Sequence, residues 1–268
     1  MRNANIISCG AYAPARVIPN HYFDELLGED VSTWLEEKVQ IFERRWCAED
    51  ESTADLAEQA AQLCLERAGV KAEQLDLIIL STDTPEFVSP STASVVQHRL
   101  GAQNAGTFDN NTACAGIVTA LVIGAYAMSK YLNRTDKKTV TLFADGAGAV
   151  LLHAAPSSTS REGFLASELI SKGAYHSWMG IYGGGTRQPI SEAVLKNHDH
   201  QLKFVRKFPP ELNPEIWSQM ARNLSQRIGV APTEVHRYFI TQININAIWE
   251  TLDRLDVARE KGHTIMLR

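Results

Sequence analysis

A chain of 268 residues, 44% hydrophobic and 21% charged, is long enough to bury one large or two medium cores and has an ordinary soluble globular composition. Its formal net charge of −5, with no basic run longer than Arg44-Arg45 or Lys137-Lys138, argues against a nucleic-acid partner, because phosphate binding needs clustered cations. No run of about 18 apolar residues can span a membrane, the N-terminus opens without the apolar core of a signal peptide, and the four cysteines show neither zinc-type nor disulfide-framework spacing. A cytoplasmic protein with free thiols and no bound metal is expected.

Taken in chain order, Asn5 to Ala13 is β-prone and closed by Pro14 and Pro19, and His21 to Gly28 and Val31 to Val39 read as helices. Ser52 or Thr53 can cap a helix whose positions Leu56, Ala60, Cys64 and Ala68 recur every four residues and which ends at Gly69. Leu75 to Ser81 is predicted as a buried strand and Ser91 to Leu100 as a helix stopped by Gly101. Thr107-Phe108 leads to a polar turn, and Val122 to Gly124 is strand-like. Thr139 to Phe143 and Ala147 to His153 are β-prone, split by Asp145-Gly-Ala-Gly148. The Ser-rich stretch Pro156 to Ser160 is the best linker, dividing an N-terminal half (1–155) from a C-terminal half (156–268). That second half holds a helix at Pro214 to Ile228, a strand at Arg237 to Thr241 and a helix from about Asn244 to Leu255. Gly183-Gly-Gly185 lacks the Lys and the strand-before, helix-after setting of a phosphate loop and reads as a mobile turn. Alternating β and α segments predict an α/β layered fold with a mostly parallel sheet, whose working site lies at the C-terminal ends of its strands.

Cys114, in Phe108-Asp-Asn-Asn-Thr-Ala-Cys-Ala-Gly116, is the leading candidate residue. The order is strand, turn, Cys, helix start. A thiol at a helix N-terminus meets unpaired N–H groups and the positive end of the macrodipole, which favour the nucleophilic thiolate. Ala113, Ala115 and Gly116 leave room for an acyl group. On spacing alone, a buried cysteine acting as a small hydrophobe is an equal alternative.

Five segments in register carry a family resemblance: Glu43-Arg-Arg-Trp46, Ser52-Thr-Ala-Asp-Leu56, Ser89-Pro-Ser-Thr92, Asp109 to Gly116, and Phe143-Ala-Asp-Gly-Ala-Gly-Ala149. Over roughly residues 3 to 155, and more weakly to Met266, the chain resembles β-ketoacyl-acyl-carrier-protein synthase III of the thiolase superfamily. The resemblance implies a thiolase-like duplicated α-β-α layered fold with mixed, mostly parallel sheets, and a homodimer. It implies an acyltransferase of fatty acid or polyketide-type biosynthesis. In that chemistry Cys114 takes an acyl group from acyl-coenzyme A before condensation with malonyl-acyl carrier protein. No metal or cofactor is needed beyond the acyl-coenzyme A substrate.

Carried over residue by residue, Cys114 matches the acyl-accepting nucleophile. Trp34 falls where the family stacks an aromatic ring on the adenine of coenzyme A. Lys38 falls near a family arginine that pairs with its phosphates, and keeps the charge without the bidentate fork. The family motif His-Gln-Ala-Asn corresponds to Thr241-Gln-Ile-Asn244. In the family, that His and a later Asn donate hydrogen bonds to the thioester oxygen of the malonyl group, and such preorganised donors are worth about 2.7–4 kcal/mol each. Thr241 donates one shorter hydrogen bond and cannot become cationic. Asn244 matches the family Asn and serves equally as a helix N-cap. His236 lies at the other end of the strand and is not expected to replace the missing imidazole.

Acylation of Cys114 is therefore a firmer expectation than decarboxylative condensation. The alternatives are an acyltransferase that forms an ester or amide, and a non-catalytic dimer partner or carrier-protein binding module. An acidic carrier protein needs a basic patch, for which Arg44, Arg45, Lys203, Arg206 and Lys207 are the candidates. Only seven residues separate Cys114 from Val122, too few for the dozen or more that a helical crossover between parallel strands needs. Segments of the family fold are thus expected to be missing near 121/122 and after Met266.

Overall fold

The computed structural model describes residues 2–112, 123–156 and 163–266, so Cys114 and most of the expected Pro156–Ser160 linker lie outside the described residues. The chain forms two compact units. One comprises Met1–Ile18, Arg44–Lys130 and Phe143–Leu165; the other comprises Pro19–Glu43, Tyr131–Leu142 and Ala166–Arg268. The units interleave along the chain, with their last boundary at Leu165/Ala166.

The first unit is built on a mixed five-stranded sheet. Its strands are β1 (Arg2–Tyr12), β4 (Leu77–Ser81), β5 (Gly106–Asn110), β6 (Ile123–Ala127) and β7 (Asp145–Pro156), in the order β1-β7-β6-β4-β5. β4 runs parallel to both β5 and β6, while β7 runs antiparallel to both β1 and β6. A register shift between Ile6 and Ser8 marks a bulge in β1. Two further short strands, β2 (Arg16–Pro19) and β3 (Glu43–Trp46), pair separately.

Two helices cover one face of the large sheet, α3 (Thr53–Ala68) and α4 (Thr92–Leu100). The N-terminus of α3 is closed by Asp55, whose carboxylate accepts the Ser52 backbone N–H at 2.7 Å and its hydroxyl at 2.6 Å. Its C-terminus turns at Gly69, at φ +64°. The inward stripe Ala54, Ala57, Ala60, Ala61 and Cys64 is made of small side chains, and it packs with Ile78, Leu80, Ile123, Ala125 and Ala149 of the sheet. Small residues let the helix backbone come close to β1: a Cβ on Gly10 would stand 2.2 Å from the Ala60 carbonyl oxygen and 2.6 Å from the Cys64 nitrogen. Gly10→Ala must push β1 off α3, and a loss of about 3 kcal/mol is expected in urea denaturation, at the upper end of ordinary overpacking because the obstacle is backbone.

Several sequence expectations are corrected here. Asp145-Gly-Ala-Gly148 does not split two strands; it begins β7. Gly146 and Gly148 lie opposite Tyr126 and Gly124 of β6, and Ala147 and Gly148 lie opposite Tyr12 and Ala11 of β1. Glycine reads as a breaker locally, but in a strand paired on both sides the small residues admit close neighbours. Asp145 itself is 6% exposed, and its carboxylate accepts the backbone N–H of Cys47 at 2.7 Å, that of Ser129 at 2.8 Å and the Ser129 hydroxyl. Asp145→Ala strands two buried N–H donors, each costing about 1–3 kcal/mol. The expected result is a lower urea midpoint by an amount equivalent to about 3 kcal/mol or more, with Asp145→Asn recovering only part of it.

The second unit contains α1 (His21–Leu27) and α2 (Ser32–Trp34), the latter continuing into a π-helical turn over Leu35–Val39. It also holds α5 (Lys137–Val140), a small ribbon of β8 (Met179–Gly180) and β9 (Lys203–Phe204), and three further helices, α6 (Glu192–Lys196), α7 (Leu212–Ile228) and α8 (Ile245–Arg254). The expected strand at Thr139–Phe143 is instead the short helix α5. Asp136 accepts the Lys138 N–H at 3.0 Å, and the Thr141 hydroxyl donates to the Lys137 carbonyl at 3.0 Å, so local side-chain bonds override β-branched propensity. The expected strand at Arg237–Thr241 makes only one isolated parallel bridge, Tyr238 to Gly262, among the described residues. Strand identity depends on partners, and here one bridge is all that forms. Gly183-Gly-Gly185 is a hydrogen-bonded turn: Gly183 donates to the Asp199 carbonyl at 2.6 Å and Gly184 to that of Gln188 at 2.8 Å. α8 buries Ile245, Ile248 and Leu252 at helical spacing, and Ile248 and Leu252 cluster with Leu255 and Val257 against Ala221, Tyr238, Ile240 and Trp249.

Candidate active site

The approach to the Cys114 segment is set by β5. Its residues Asp109 and Asn110 lie opposite Leu80 and Ser81 of β4, and the Thr82 N–H donates to the Asn110 carbonyl at 3.0 Å. Both carboxylate oxygens of Asp109 are used at the start of α4, accepting the Thr92 N–H at 2.6 Å and the Ala93 N–H at 2.7 Å. An acidic group at that position satisfies two orphan donors and opposes the positive end of the helix dipole. The strand end from which the chain proceeds to Cys114 is thereby anchored at the carboxyl ends of the parallel strands, where α/β sheets bind ligands. The helix-start geometry expected for Cys114 itself lies outside the described residues.

Two of the other cysteines are poor nucleophiles. Cys47 and Cys64 are buried, and burial is the first cause pushing both thiols up from their ordinary range; for Cys47 the neighbouring Asp145 charge adds to it. Cys9 is exposed.

In the second unit, Asp24 positions Trp34. Its carboxylate accepts the N–H groups of Val31 and Ser32 at 2.7 and 3.0 Å and also the Ser32 hydroxyl. The Ser32 hydroxyl, followed by the Val31 N–H, holds the Asp24 carboxyl below its usual range. Trp34, two residues on, is 46% exposed, so a ring face is available for stacking. The Lys38 side chain is exposed and its ammonium lies 3.7 Å from Glu37, a pairing of little energetic weight in water.

Asn244 caps α8: its side-chain oxygen accepts the Asn246 N–H at 2.9 Å. That bond uses one of the two lone pairs of the amide oxygen and leaves the N–H2 donors of Asn244 outside the cap. The Asn246 side chain in turn donates to the Lys38 carbonyl at 3.4 Å, which ties the turn after Trp34 to the first turn of α8. Thr241 is half-buried, and its carbonyl accepts the Ile243 N–H at 3.0 Å in the turn before the cap.

Gln242 was not among the sequence candidates, although the motif itself contained it. Its amide nitrogen donates to the carbonyls of Ile240 at 2.7 Å and His263 at 3.1 Å, and its oxygen accepts the Ile265 N–H at 3.1 Å. The bonds to His263 and Ile265 fasten the Thr241–Asn244 turn to the 263–265 segment, and the bond to Ile240 closes the turn on itself.

The proposed basic patch is corrected for three of its five members. Arg44 is buried with a contact to the Ile18 carbonyl, Arg45 bonds the Pro14 and Ala15 carbonyls, and Lys203 is held by Asp199 and the Asn197 carbonyl. Arg206 and Lys207 are exposed, and the Arg206 guanidinium lies 5.9 Å from the Trp178 ring centre. Among the described residues no group of three or more His, Cys, Asp or Glu side chains is arranged to hold a metal ion, and no helix is long and apolar enough to cross a membrane.

Comparison with known proteins agrees with this framework. A family model described as 3-oxoacyl-[acyl-carrier-protein (ACP)] synthase III matches residues 116–173. The chain is 34% identical to an acetoacetyl CoA synthase from Streptomyces sp. (strain CL190), over 96% of this chain and 82% of that protein. It is also 34% identical to the β-ketoacyl-[acyl-carrier-protein] synthase III of Clostridium perfringens (strain SM101 / Type A), over 97% of this chain and 84% of the relative. The crystal structure of 3-oxoacyl-(acyl carrier protein) synthase III from Pseudomonas aeruginosa PAO1 superposes with a TM-score of 0.84 at 26% identity, covering 98% of this chain and 83% of that one. With one-third identity extending over more than four-fifths of each relative, and an α/β fold in common, the chain belongs to the β-ketoacyl-[acyl-carrier-protein] synthase III family of condensing acyltransferases.

Proposed function

We propose that this protein transfers an acyl group from acyl-coenzyme A to Cys114 and from there to a second substrate, malonyl-acyl carrier protein in fatty acid or polyketide-type biosynthesis. The observation that carries the reading is the similarity to two condensing enzymes over more than four-fifths of each, in a chain whose β5 precedes the Cys114 segment. In the first half-reaction the Cys114 thiolate attacks the thioester carbonyl carbon. The bond to the coenzyme A sulfur breaks, coenzyme A leaves as a thiolate that takes a proton from solvent, and an acyl-enzyme thioester remains. Trp34 and Lys38 would hold the adenine and phosphates of coenzyme A.

In the second half-reaction, decarboxylation of the malonyl group yields carbon dioxide and an enolate whose carbon attacks the acyl-enzyme, releasing the Cys114 thiolate. Thr241 and Asn244 stand in the motif that serves this step. A second reading, transfer to an alcohol or amine without decarboxylation, is favoured by one observation: residue 241 offers a hydroxyl where the family has an imidazole.

The same proposal includes a homodimer in the cytoplasm. β5 is one of the two edge strands among the described residues of its sheet, and the exposed Phe108, Phe87 and Val88 provide apolar surface suited to a second copy. Arg206 and Lys207 suit an acidic carrier protein. It also takes the chain as two thiolase-like halves, 1–155 and 156–268, a division distinct from the two compact units. The test is intact-mass analysis after incubation with acyl-coenzyme A: an added acyl mass supports the reading, and an unmodified chain with every thioester tried refutes it.

A further inference from the structure

We propose that Asn246 is a positioning residue for coenzyme A: through the Lys38 carbonyl it holds the turn that carries Trp34 and Lys38, and so sets the affinity for the nucleotide half of an acyl-coenzyme A thioester. This deepens the acyltransferase reading and rests on it, in particular on Trp34 and Lys38 as the groups that meet the adenine and the phosphates. Every residue concerned belongs to the second compact unit.

Trp34 is the last residue of α2, and Lys38 lies four residues on in the π-helical turn Leu35–Val39. Helical pieces of three and five residues cannot hold themselves, because most of their N–H and C=O groups have no partner within the helix. Those partners come from outside. At the start, Asp24 accepts the N–H groups of Val31 and Ser32. Past the end, the Ile41 N–H donates to the Leu35 carbonyl at 3.1 Å and the Asn20 amide donates to the Ile41 carbonyl at 2.7 Å, while Gln40 turns the chain at φ 59°. Between these anchors stands the Lys38 carbonyl, at the open end of the π turn. Its partner is the side-chain amide of Asn246, 208 residues away in sequence, at 3.4 Å.

Asn246 can make this bond because the Asn244 cap engages only its backbone N–H. It sits on a fixed support: Ile245 and Ile248 of α8 are fully buried, while Asn246 itself is exposed. One exposed amide on an orphan carbonyl adds little to global stability, but it holds one turn against one helix. That turn carries the residues through which coenzyme A is read, and π-helical turns are concentrated at functional sites.

The test measures the second-order rate of acylation by intact mass with acetyl-, butyryl- and octanoyl-coenzyme A, and with the acyl-pantetheine that matches the fastest of them, which lacks the adenine and its phosphates. Asn246→Ala should raise the half-saturating concentration of acyl-coenzyme A about two- to tenfold, the worth of one neutral hydrogen bond, with the limiting rate within about twofold. Acyl-pantetheine should react equally well with wild type and variant. Asn246→Gln, which keeps the amide donor on a longer arm, should recover most of the loss. In a Trp34→Ala/Lys38→Ala background the effect of Asn246→Ala should vanish, because residues acting through one another are not additive. A melting curve close to wild type establishes that each variant is folded. An unchanged half-saturating concentration, an equal loss with acyl-pantetheine, or a loss that persists in the Trp34→Ala/Lys38→Ala background would each overturn the inference, the last by showing that Asn246 acts independently of the turn. Those outcomes leave the acyltransferase reading standing; no acylation by any thioester defeats both.

Discussion

Cys114→Ala is expected to abolish acyl-enzyme formation: the mass increase on incubation with acyl-coenzyme A disappears, and overall transfer falls by about 1,000-fold or more, as for loss of other covalent nucleophiles. Cys47 and Cys64 are desolvated, and a buried thiol pays heavily to become the thiolate that attacks a thioester. Cys9 is exposed but lies within β1, opposite Val150 of β7. Peptide mapping of the acylated protein locates the label. Label on Cys9, or label that persists in Cys114→Ala, would count decisively against Cys114 as the acceptor. The substitution removes one small side chain, so folding should be little changed, and a melting curve close to wild type is the control.

Thr241→His carries the second large effect. If residue 241 occupies the position from which the family histidine stabilises the enolate, restoring the imidazole should raise release of carbon dioxide from malonyl-acyl carrier protein by about 100-fold or more. Acylation of Cys114 should stay within about twofold, because an interaction made only in the second transition state leaves the first unaffected. The gain should also acquire a pH dependence at ~6.5, where an ordinary imidazole titrates. Gln242 makes the test a fair one. Its bonds to Ile240, His263 and Ile265 hold the turn in place whatever residue 241 is, so the new side chain enters a preset frame. A wild type that already releases carbon dioxide as fast as Thr241→His would show that the hydroxyl suffices and that the ester- or amide-forming reading is unnecessary.

Much of the fold was legible where one local signal dominated. The four-residue spacing from Leu56 to Ala68, bounded by Ser52 and Gly69, yields α3 with its cap and its left-handed stop where expected. Ser91 and Gly101 bracket α4 in the same way, and Asn244 caps α8. Helix ends are written in a few residues because the groups they satisfy are a few residues away. Strands were less legible. Thr139-Val-Thr141 has β-branched composition yet forms a helical turn capped by Asp136, and Asp145-Gly-Ala-Gly148 has turn composition yet opens the strand between β1 and β6. In both, the deciding partners are either a side-chain cap or strands far away in sequence, which propensity does not weigh.

The candidate site divides along the same line. Residue types and their order pointed to Cys114 and to a family, and the resemblance to that family nominated Trp34, Lys38, Thr241 and Asn244, because chemistry depends first on which functional groups are present. They did not show that Arg44 and Lys203 are spent on internal contacts, or that Gln242 fastens the Thr241 turn. Satisfaction and burial are properties of a place, not of a residue type. Helix boundaries and kinship are written in local residue order; which charged and polar groups are spent on internal contacts is not, since that depends on neighbours brought together from distant parts of the chain.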